Sequence, residues 1–354
     1  MTRAVHVPES LAELLTVEWL TGALGQRFPG ITVTDVTPGP VMTRISTNAF
    51  FSIECEGDRP AGLPADLCAK GYFSDTGTAA YRSAGEPEAH FYRDLVASVG
   101  VRTLPSVYAD VDPATRHGVV ITEDIAASGA TFVDPMRARA PAEVAESLEQ
   151  YAGLHARTWN DPRVSRAGWL APRIASTGRV RGVAEIQEQF DGPVGSGVPP
   201  EARQAEELVE AYRSLPAITG AAPTLCLLHG DAHIGNLFAD AEGQPGLLDW
   251  QLVQRGPWYV DVGYHIASSL TVEDRRSSER DLLQHYLERL AAHGAAAPAD
   301  DEVWLGFCCG VVYGMFLWSI TQKVRPEITT VLLGRLGTAA MDHGACDVVS
   351  GAVV

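Results

Sequence analysis

Lysine is nearly absent from this 354-residue chain. Only Lys70 and Lys323 occur, whereas arginine supplies all the other basic side chains. Lys70 lies in the largely apolar segment Leu-Cys-Ala-Lys-Gly-Tyr-Phe, which predicts a strand. Arginine does not replace lysine where a compact, point-like cation is required. The isolated Lys70 is therefore a candidate functional residue.

Excess positive charge is also missing, because the formal net charge is −17 at pH 7. This balance argues against nucleic acid or an anionic membrane as a partner and suits a neutral or cationic small molecule. The six cysteines form no C-x-x-C pair, and most lie in apolar runs. We therefore expect free thiols in a reducing cytoplasm rather than disulfides.

Long charge-free runs are scarce. Residues 303–320 form a charge-free run of eighteen residues, which is the lower length limit of a membrane span. Glycines interrupt this run and acidic residues precede it, so we expect a buried central helix instead. Near the N-terminus, Glu13 and Glu18 interrupt the apolar residues 8–24. An amphipathic helix beginning near Ser10 is expected there, not an export signal.

The distribution of periodic segments predicts an α+β chain with two lobes. Alternating apolar residues predict strands at 31–36, 49–55, 67–73, 106–111 and 118–122. Helical spacing dominates later, at 142–159, 201–214, 278–292, 302–322 and 327–341. Residues 163–200, rich in Gly, Pro, Ser and Arg, are expected to form an irregular insertion or a flap. The predicted lobes are 1–125 and 126–354.

A helix beginning at Pro87 is expected after the Lys70 strand. Glu88 shares the apolar face of this helix with Phe91, Tyr92 and Leu95. A buried carboxylate needs a partner, and Lys70 is the obvious one. Glu86 is the rival partner, but the residue before a proline is biased away from helix.

Candidate functional residues are concentrated in residues 228–261. This stretch reads LHGDAHIGNLFADAEGQPGLLDWQLVQRGPWYVD. Asp231 is followed after five residues by Asn236, and an apolar pair then precedes Asp249. Enzymes that transfer the terminal phosphate of ATP use this spacing. One carboxylate orients the attacking hydroxyl and takes its proton, while an amide and a second carboxylate bind Mg²⁺ through oxygen.

Two other interpretations of this stretch remain open. His229, Asp231 and His233 alternate, so in an extended segment they would face one way and could form the metal cluster of a hydrolase. The segment could also be a polar turn without chemistry. Asp261 is expected to cap the following helix and to hold the loop in place.

The order of the motifs resembles the aminoglycoside phosphotransferase/choline kinase-like superfamily, a relative of protein kinases. The resemblance extends over residues 62–270 and is carried by GLPADLCAKGYF, EAHFYRDL, VVITEDI, LLHGDAHIGNLF, LLDWQ and GPWYVDVGYHIASSL. The last two are most similar to the ecdysteroid kinase-like branch. The resemblance implies a bilobal kinase-like fold, with an antiparallel-sheet lobe followed by a mainly helical one.

The resemblance also implies residue roles. Asp231 would be the catalytic base, Asn236 and Asp249 would bind Mg²⁺, Lys70 would pair with ATP phosphate, and Glu88 would position Lys70. Two further contacts to ATP are expected. A kinase lobe places its phosphate-covering loop where residues 37–48 lie, but this segment has one glycine, so Ser46, Thr47 or Asn48 would have to donate, or the segment is an ordinary loop. The linker from Glu123 to Ile125 would offer backbone groups to adenine.

The expected function is ATP- and Mg²⁺-dependent phosphorylation of a hydroxyl group on a small molecule. A protein kinase is disfavoured, because only eleven residues separate Asp249 from Asp261 and leave little platform for a peptide. A non-catalytic nucleotide-binding module is the other alternative. Six aromatic residues could line an acceptor pocket or simply pack in the core: Trp250, Trp258, Tyr264, Trp304, Tyr313 and Trp318.

Overall fold

In the computed structural model, which describes residues 5–353, the N-terminal part of the chain contains a five-stranded antiparallel sheet. The order across the sheet is β1-β2-β3-β5-β4. The strands are β1 (Val33–Thr43), β2 (Thr47–Cys55), β3 (Asp66–Gly71), β4 (Ser106–Val111) and β5 (Gly118–Glu123). Two short helices precede them, α1 (Leu11–Leu14) and α2 (Val17–Gly25), with side-chain caps from Ser10 and Thr16. Leu14, Leu20 and Leu24 anchor these helices in the core of the sheet.

The predicted loop at residues 37–48 is wrong, since most of it is strand. β1 continues to Thr43 and pairs with β2, so only residues 44–46 form the turn of a hairpin. Pro38 and Pro40 hid this strand from a propensity argument. Proline is tolerated here because β1 is an edge strand, where a missing N–H need not break a ladder.

The helix that carries Glu88 runs in three segments: α3 (Glu86–His90), a π-helical turn (Phe91–Leu95) and α4 (Val96–Val99). The expectation that Glu86 lies outside the helix is wrong, because α3 begins at Glu86. In that first turn its side chain pairs with Arg116, with 2.7 Å between Oε2 and Nε. Glu86 is thereby directed away from Lys70.

Helices form most of the remaining chain. They are α5 (Pro141–Arg157), α6 (Pro162–Arg166), α7 (Ile174–Thr177), α8 (Val183–Asp191), α9 (Ala205–Ala221), α10 (Tyr259–Ser269), α11 (Val272–Ala292), α12 (Asp300–Ser319), α13 (Pro326–His343) and α14 (Ala345–Gly351). The segment 163–200 is therefore not an irregular insertion throughout. It contains two complete helices, and Ile186 and Phe190 of α8 are fully buried.

Five very short strands hold the 228–261 stretch between the helices. β6 (Thr131–Phe132), β8 (Leu237–Ala239) and β9 (Pro245–Leu247) form one small sheet. β7 (Cys226–Leu228) and β10 (Gln254–Gly256) pair antiparallel in another. The loop that contains Asp231 therefore leaves β7 and returns through β8.

The described residues contain two hydrophobic cores. The smaller one joins α1 and α2 to the sheet. The larger one fills the helical region and also takes in Phe91, Tyr92 and Leu95, so the Glu88 helix packs with the second lobe as well as with the sheet. The predicted boundary at residue 125 stays a prediction, but packing extends across it.

α12 is the long apolar helix expected from the sequence. By length and composition, Glu302–Ser319 is the one helix in the described residues that could span a membrane, but 72% of that window is buried inside the protein. Cys308, Val312 and Phe316 have no exposed surface. The expectation of a buried central helix is confirmed.

Buried polar side chains of α10 and α12 hold the loop after β7. The Nδ1 atom of His265 donates to the carbonyl of Ala232 at 2.9 Å, and its Nε2 atom accepts from the Ser147 hydroxyl at 2.6 Å. Tyr313 donates to the carbonyl of Gly230 at 2.7 Å. The loop is thus held by helices that are themselves in the core.

Neutral histidine in the core predicts a pH-dependent stability. Burial lowers the pKa of His265 to about 4 from an ordinary 6.5. As the pH falls, His265 therefore binds a proton in the unfolded chain before it does so in the folded chain. The free energy of unfolding thus decreases as the pH falls from about 6.5 towards 4. We expect His265 alone to remove about 1 kcal/mol from the free energy of unfolding between pH 7.5 and pH 5.5.

Denaturant unfolding of the parent and of His265→Gln at these two pH values measures this loss. The difference between the two pH values should be smaller in the variant by about that amount. Burial also lowers the pKa values of His117 and His233 to about 4. These two residues should contribute to the pH dependence of the free energy of unfolding in both proteins. An unchanged pH dependence in His265→Gln would contradict the assignment.

Candidate active site

Lys70 lies between two carboxylates. Its Nζ atom is 2.7 Å from Oε2 of Glu88 and 2.7 Å from Oδ1 of Asp249. Lys70 lies near the C-terminal end of β3, Glu88 lies in α3, and Asp249 lies two residues after β9, so three separate parts of the chain meet at this ammonium group. The ion pair between Lys70 and Glu88 that the sequence predicts is present.

The cluster places one ammonium group between two carboxylates, and each group shifts the pKa of the others. Burial alone would lower the pKa of Lys70, but Asp249 and Glu88 raise it well above its usual value. Burial raises the pKa of Glu88 against the opposing attraction of Lys70. For Asp249 burial is outweighed by Lys70, which holds the pKa of that carboxyl below its usual range.

Trp250 fixes the helix of Glu88 to the segment of Asp249. Its backbone N–H donates to Oε1 of Glu88 at 3.3 Å, and its ring stacks on Phe91 with 3.8 Å between centroids. Its indole N–H donates to the Thr103 hydroxyl at 2.9 Å. Asp249 itself has φ +67°, a left-handed conformation that aspartate tolerates better than most residues. The position of Asp249 is therefore set by its neighbour's packing.

The carboxylate of Asp261 holds the turn before Asp231. It accepts the backbone N–H groups of His229 at 2.7 Å and Gly230 at 2.9 Å. Gly230 has φ +80°, and a Cβ atom there would lie 2.1 Å from the carbonyl oxygen of Leu252, so only glycine fits. Asp261 lies in the first turn of α10, where Trp258 is the N-cap. The prediction that it caps the helix is wrong, and the prediction that it holds the loop is confirmed.

Asp231 is half-buried and lies near Asp249. Burial first, and the charge of Asp249 second, raise the pKa of Asp231 to about 6. Tyr264 donates to its Oδ1 atom at 3.2 Å. The Nδ2 atom of Asn236 donates to the backbone carbonyl of Asp231 at 2.8 Å, which leaves the amide oxygen of Asn236 for another partner. The structure therefore brings Asp231, Asn236, Asp249, Lys70 and Glu88 into one cluster.

The proposed hydrolase cluster of His229, Asp231 and His233 does not form. His229 donates from Nε2 to the carbonyl of Leu248 at 2.9 Å and accepts the N–H of Asp231 on Nδ1, so both ring nitrogens are used. His233 accepts the N–H of Gly235 on Nδ1. Within residues 5–353, no group of three or more His, Cys, Asp or Glu side chains has the arrangement to hold a metal.

The comparison with protein families decides the identity of the chain. The model of the phosphotransferase enzyme family matches residues 77–299, which is more than half of the sequence. The chain belongs to this family. The match describes the family as a whole, so the expected likeness to the ecdysteroid kinase-like branch stays a prediction. No curated protein matches the chain.

Solved structures resemble this phosphotransferase at low sequence identity. A choline kinase from Cryptosporidium parvum is 13% identical, with 93% of this chain and 98% of that chain covered and a TM-score of 0.52. Macrolide 2′-phosphotransferase type I is 14% identical, with 99% of each chain covered and a TM-score of 0.46. Wild-type aminoglycoside 2′-phosphotransferase-IIIa, in its GDP complex, is 13% identical, with 86% and 90% covered and a TM-score of 0.45. The choline kinase shows the shared bilobal fold.

The remaining nucleotide contacts predicted for the phosphotransferase lie in the β1–β2 turn and in the linker after β5. Ser46 lies in the β1–β2 turn, while the neighbouring Thr47 hydroxyl is engaged by Thr76 at 2.7 Å. In the linker, the N–H of Glu123 bonds to Pro105 and the carbonyl of Ile125 accepts from two later residues. The N–H of Ile125 makes no hydrogen bond within the described chain. It is the linker donor that remains open to a base.

The sequence does not identify the residues that hold the functional side chains in position. Of the six aromatic residues named from the sequence, four contact the site through hydrogen bonds or stacking: Trp250, Tyr264, Tyr313 and Trp318. All four are buried, so most of their surface packs in the core. Their bonding partners lie far away in sequence, and no local pattern marks them.

Proposed function

We propose that this chain is an ATP- and Mg²⁺-dependent phosphotransferase that phosphorylates a hydroxyl group of a small molecule. The observation that carries the proposal is the meeting of Lys70, Glu88, Asp249, Asp231 and Asn236 in one cluster. Glu88 and Asp249 share a single lysine there, and a third carboxylate, Asp231, lies close enough to Asp249 for its pKa to be raised. Such an excess of negative charge favours the binding of a divalent cation.

The donor set fits Mg²⁺. Asp249 and the amide oxygen of Asn236 would hold the ion. Mg²⁺ in nucleotide sites is commonly bound by one or two protein oxygens together with substrate phosphates and water. When bound, it would neutralise charge on the phosphates of ATP. Lys70, held by Glu88, would contribute the second positive charge to those phosphates.

Asp231 has the position and environment of a general base. Burial raises the pKa of Asp231 to about 6, which is closer to neutral pH than the pKa of an exposed aspartate. A general base works best with a pKa near the operating pH. In the proposed reaction it accepts the proton of the acceptor hydroxyl while that oxygen bonds to the terminal phosphorus of ATP. The bond from this phosphorus to ADP breaks, and ADP leaves.

The segment between Asp249 and Asp261 supports a small acceptor. It consists of a 3₁₀ turn (Trp250–Leu252), the strand β10 paired with β7, and the first turn of α10. Protein kinases use a long segment at this place to hold a peptide. Here every part of the segment packs in the core or pairs in a short sheet. The segment therefore offers no comparable surface for a peptide.

The charge of the chain and of one cavity suggests what the acceptor is. A cavity of about 570 Å³ lies between α8 and the α12–α13 connection, lined among others by Glu185, Glu188, Thr321 and Gln322. Arg181 also lines it, as does Gln189, which donates to the backbone carbonyl of Trp318 at 3.1 Å. The cavity is thus connected to the carboxylate of Asp231 through Trp318 and Tyr264. We propose that a neutral or cationic hydroxyl compound enters here.

Variants of the three metal and base residues test the division of roles. Asp249→Ala should weaken Mg·ATP binding and abolish turnover. Asp231→Asn should keep Mg·ATP binding nearly unchanged and lower kcat by about 10²–10⁴, the usual value of general-base assistance. Asn236→Ala should fall between them. Calorimetric titration of Mg·ATP measures the binding, with Asp281→Asn, an exposed carboxylate on α11, as the control.

Two results would contradict these roles. If Asp231→Asn loses nucleotide binding as severely as Asp249→Ala, both carboxylates are metal ligands. If Asp249→Ala binds Mg·ATP as the parent does, the ion lies elsewhere. Absence of ADP formation by the parent with every acceptor tried, despite normal Mg·ATP binding, would favour the non-catalytic alternative.

A screen of acceptors tests the proposed charge class. ADP formation should be fastest with neutral or cationic hydroxyl compounds, so the screen covers choline, aminoglycosides, macrolides, sterols and simple alcohols. For a cationic acceptor, Glu188→Gln should raise KM and leave kcat unchanged, because it removes an attractive charge from the cavity wall. Glu210→Gln, exposed on α9, is the matched control. Efficient phosphorylation of a sugar phosphate would contradict the proposal.

A further inference from the structure

Tyr264 is the side chain through which α10 reaches the carboxylate of Asp231. Its ring is fully buried, and its hydroxyl oxygen takes part in two hydrogen bonds. It lies 3.2 Å from Oδ1 of Asp231 and 2.6 Å from the indole nitrogen of Trp318. Asp231, Tyr264 and Trp318 therefore form a single chain of hydrogen bonds.

The direction of both bonds follows from the chemistry of the groups. An indole N–H can only donate, so the oxygen of Tyr264 must accept from Trp318. The one proton of the Tyr264 hydroxyl is then left for Oδ1 of Asp231, and an ionised carboxylate can only accept. Trp318 thus fixes Tyr264 as a donor to Asp231.

The two oxygens of Asp231 are distinguished by this chain. Oδ1 is engaged by Tyr264. Oδ2 lies 3.7 Å from Nε2 of His233, which is beyond hydrogen-bond distance. The Asn236 side chain also approaches this carboxyl and lowers its pKa, but no hydrogen bond of normal geometry reaches Oδ2 from the described residues. Oδ2 is therefore the oxygen available to a hydroxyl from outside.

The need to satisfy a buried hydroxyl does not explain the arrangement. Three other buried tyrosines leave their hydroxyl groups without a partner in the described chain: Tyr72, Tyr108 and Tyr151. The fold therefore tolerates such groups, and phenylalanine would fill the volume at position 264. A phenol that donates to a carboxylate is a more specific feature than core packing requires.

Neighbouring helices are shaped to place Tyr264 where it lies. A Cβ atom on Gly314 of α12 would come within 2.3 Å of the Tyr264 ring, so only glycine allows this approach. Trp318 lies one turn further along α12, and His233 packs edge-on against its ring at 5.1 Å. α12 thus provides both the space for the tyrosine ring and the donor to its hydroxyl.

We infer that Tyr264 is a positioning residue for phosphoryl transfer, which directs Oδ2 of Asp231 towards the acceptor hydroxyl, and that Trp318 acts through it. The inference rests on the proposed function, in which Asp231 accepts the acceptor's proton. An aspartate carboxylate rotates easily about its last bond. A fixed donor on Oδ1 removes that freedom, and misplacement of a reacting group by about 1 Å can cost on the order of 10²-fold in rate.

The test compares Tyr264→Phe, Trp318→Phe and the double variant, with Tyr108→Phe in the sheet as the matched control because its hydroxyl has no partner. The probe is Mg·ATP with water as the acceptor, which makes ADP release independent of the identity of the natural acceptor. Tyr264→Phe should lower kcat by about 10- to 100-fold. The KM for ATP and the calorimetric Kd for Mg·ATP should change less than twofold, and Tyr108→Phe should match the parent.

The double variant separates positioning from packing. Trp318→Phe should lower kcat less than Tyr264→Phe, and it should add no further loss in the Tyr264→Phe background. Independent losses that multiply would show two packing defects and overturn the inference. So would parental kcat in Tyr264→Phe, or a fall in kcat accompanied by an equal loss of Mg·ATP binding. If the parent itself releases no ADP under any condition, the proposed function fails, and the inference with it.

Discussion

One buried ion cluster determines how the two parts of this chain meet. Lys70 of the sheet contacts Glu88 of α3 and Asp249 of the helical lobe at equal distances of 2.7 Å. Two carboxylates and one ammonium group leave a net negative charge, and Asp231 adds to it. Removing one partner of a buried pair typically costs about 3–5 kcal/mol, since the other charge is left uncompensated. The cluster is therefore a strong constraint on the closed arrangement of the lobes and a natural place for a cation.

The rest of the structure holds this cluster in position by packing. Trp250 joins the Glu88 helix to the Asp249 segment through stacking and a backbone hydrogen bond. Asp261 holds the turn before Asp231 by accepting two N–H groups. Tyr264 then orients the Asp231 carboxylate itself. Each functional carboxylate thus has its own fixed support, and none lies on a mobile surface loop.

Much of the cluster could be predicted from sequence because its residues are chemically unusual where they stand. Lys70 is one of two lysines, Glu88 is a carboxylate on an apolar helix face, and the spacing of Asp231, Asn236 and Asp249 is specific to phosphoryl transfer.

The errors have physical causes. Prolines hid the β1–β2 hairpin because edge strands tolerate them, and Glu86 enters the helix before Pro87 because Arg116 holds it in the first turn. The bonds of Trp250 and Tyr264 depend on distant helices, so no local pattern encodes them. The family match shows the phosphotransferase, whereas no local sequence pattern marks the residues that would bind the acceptor.

The central claim is that the excess of buried carboxylate is there to bind Mg²⁺ together with ATP. Thermal unfolding of the chain with ATP, in the presence of Mg²⁺ or of a chelator, tests this most directly. A ligand that binds only the folded state raises its stability by about 2.7 kcal/mol at a hundredfold excess over Kd. We expect ATP to raise Tm by several degrees with Mg²⁺ and much less with the chelator. Equal shifts under both conditions, or no shift in either, would contradict the account.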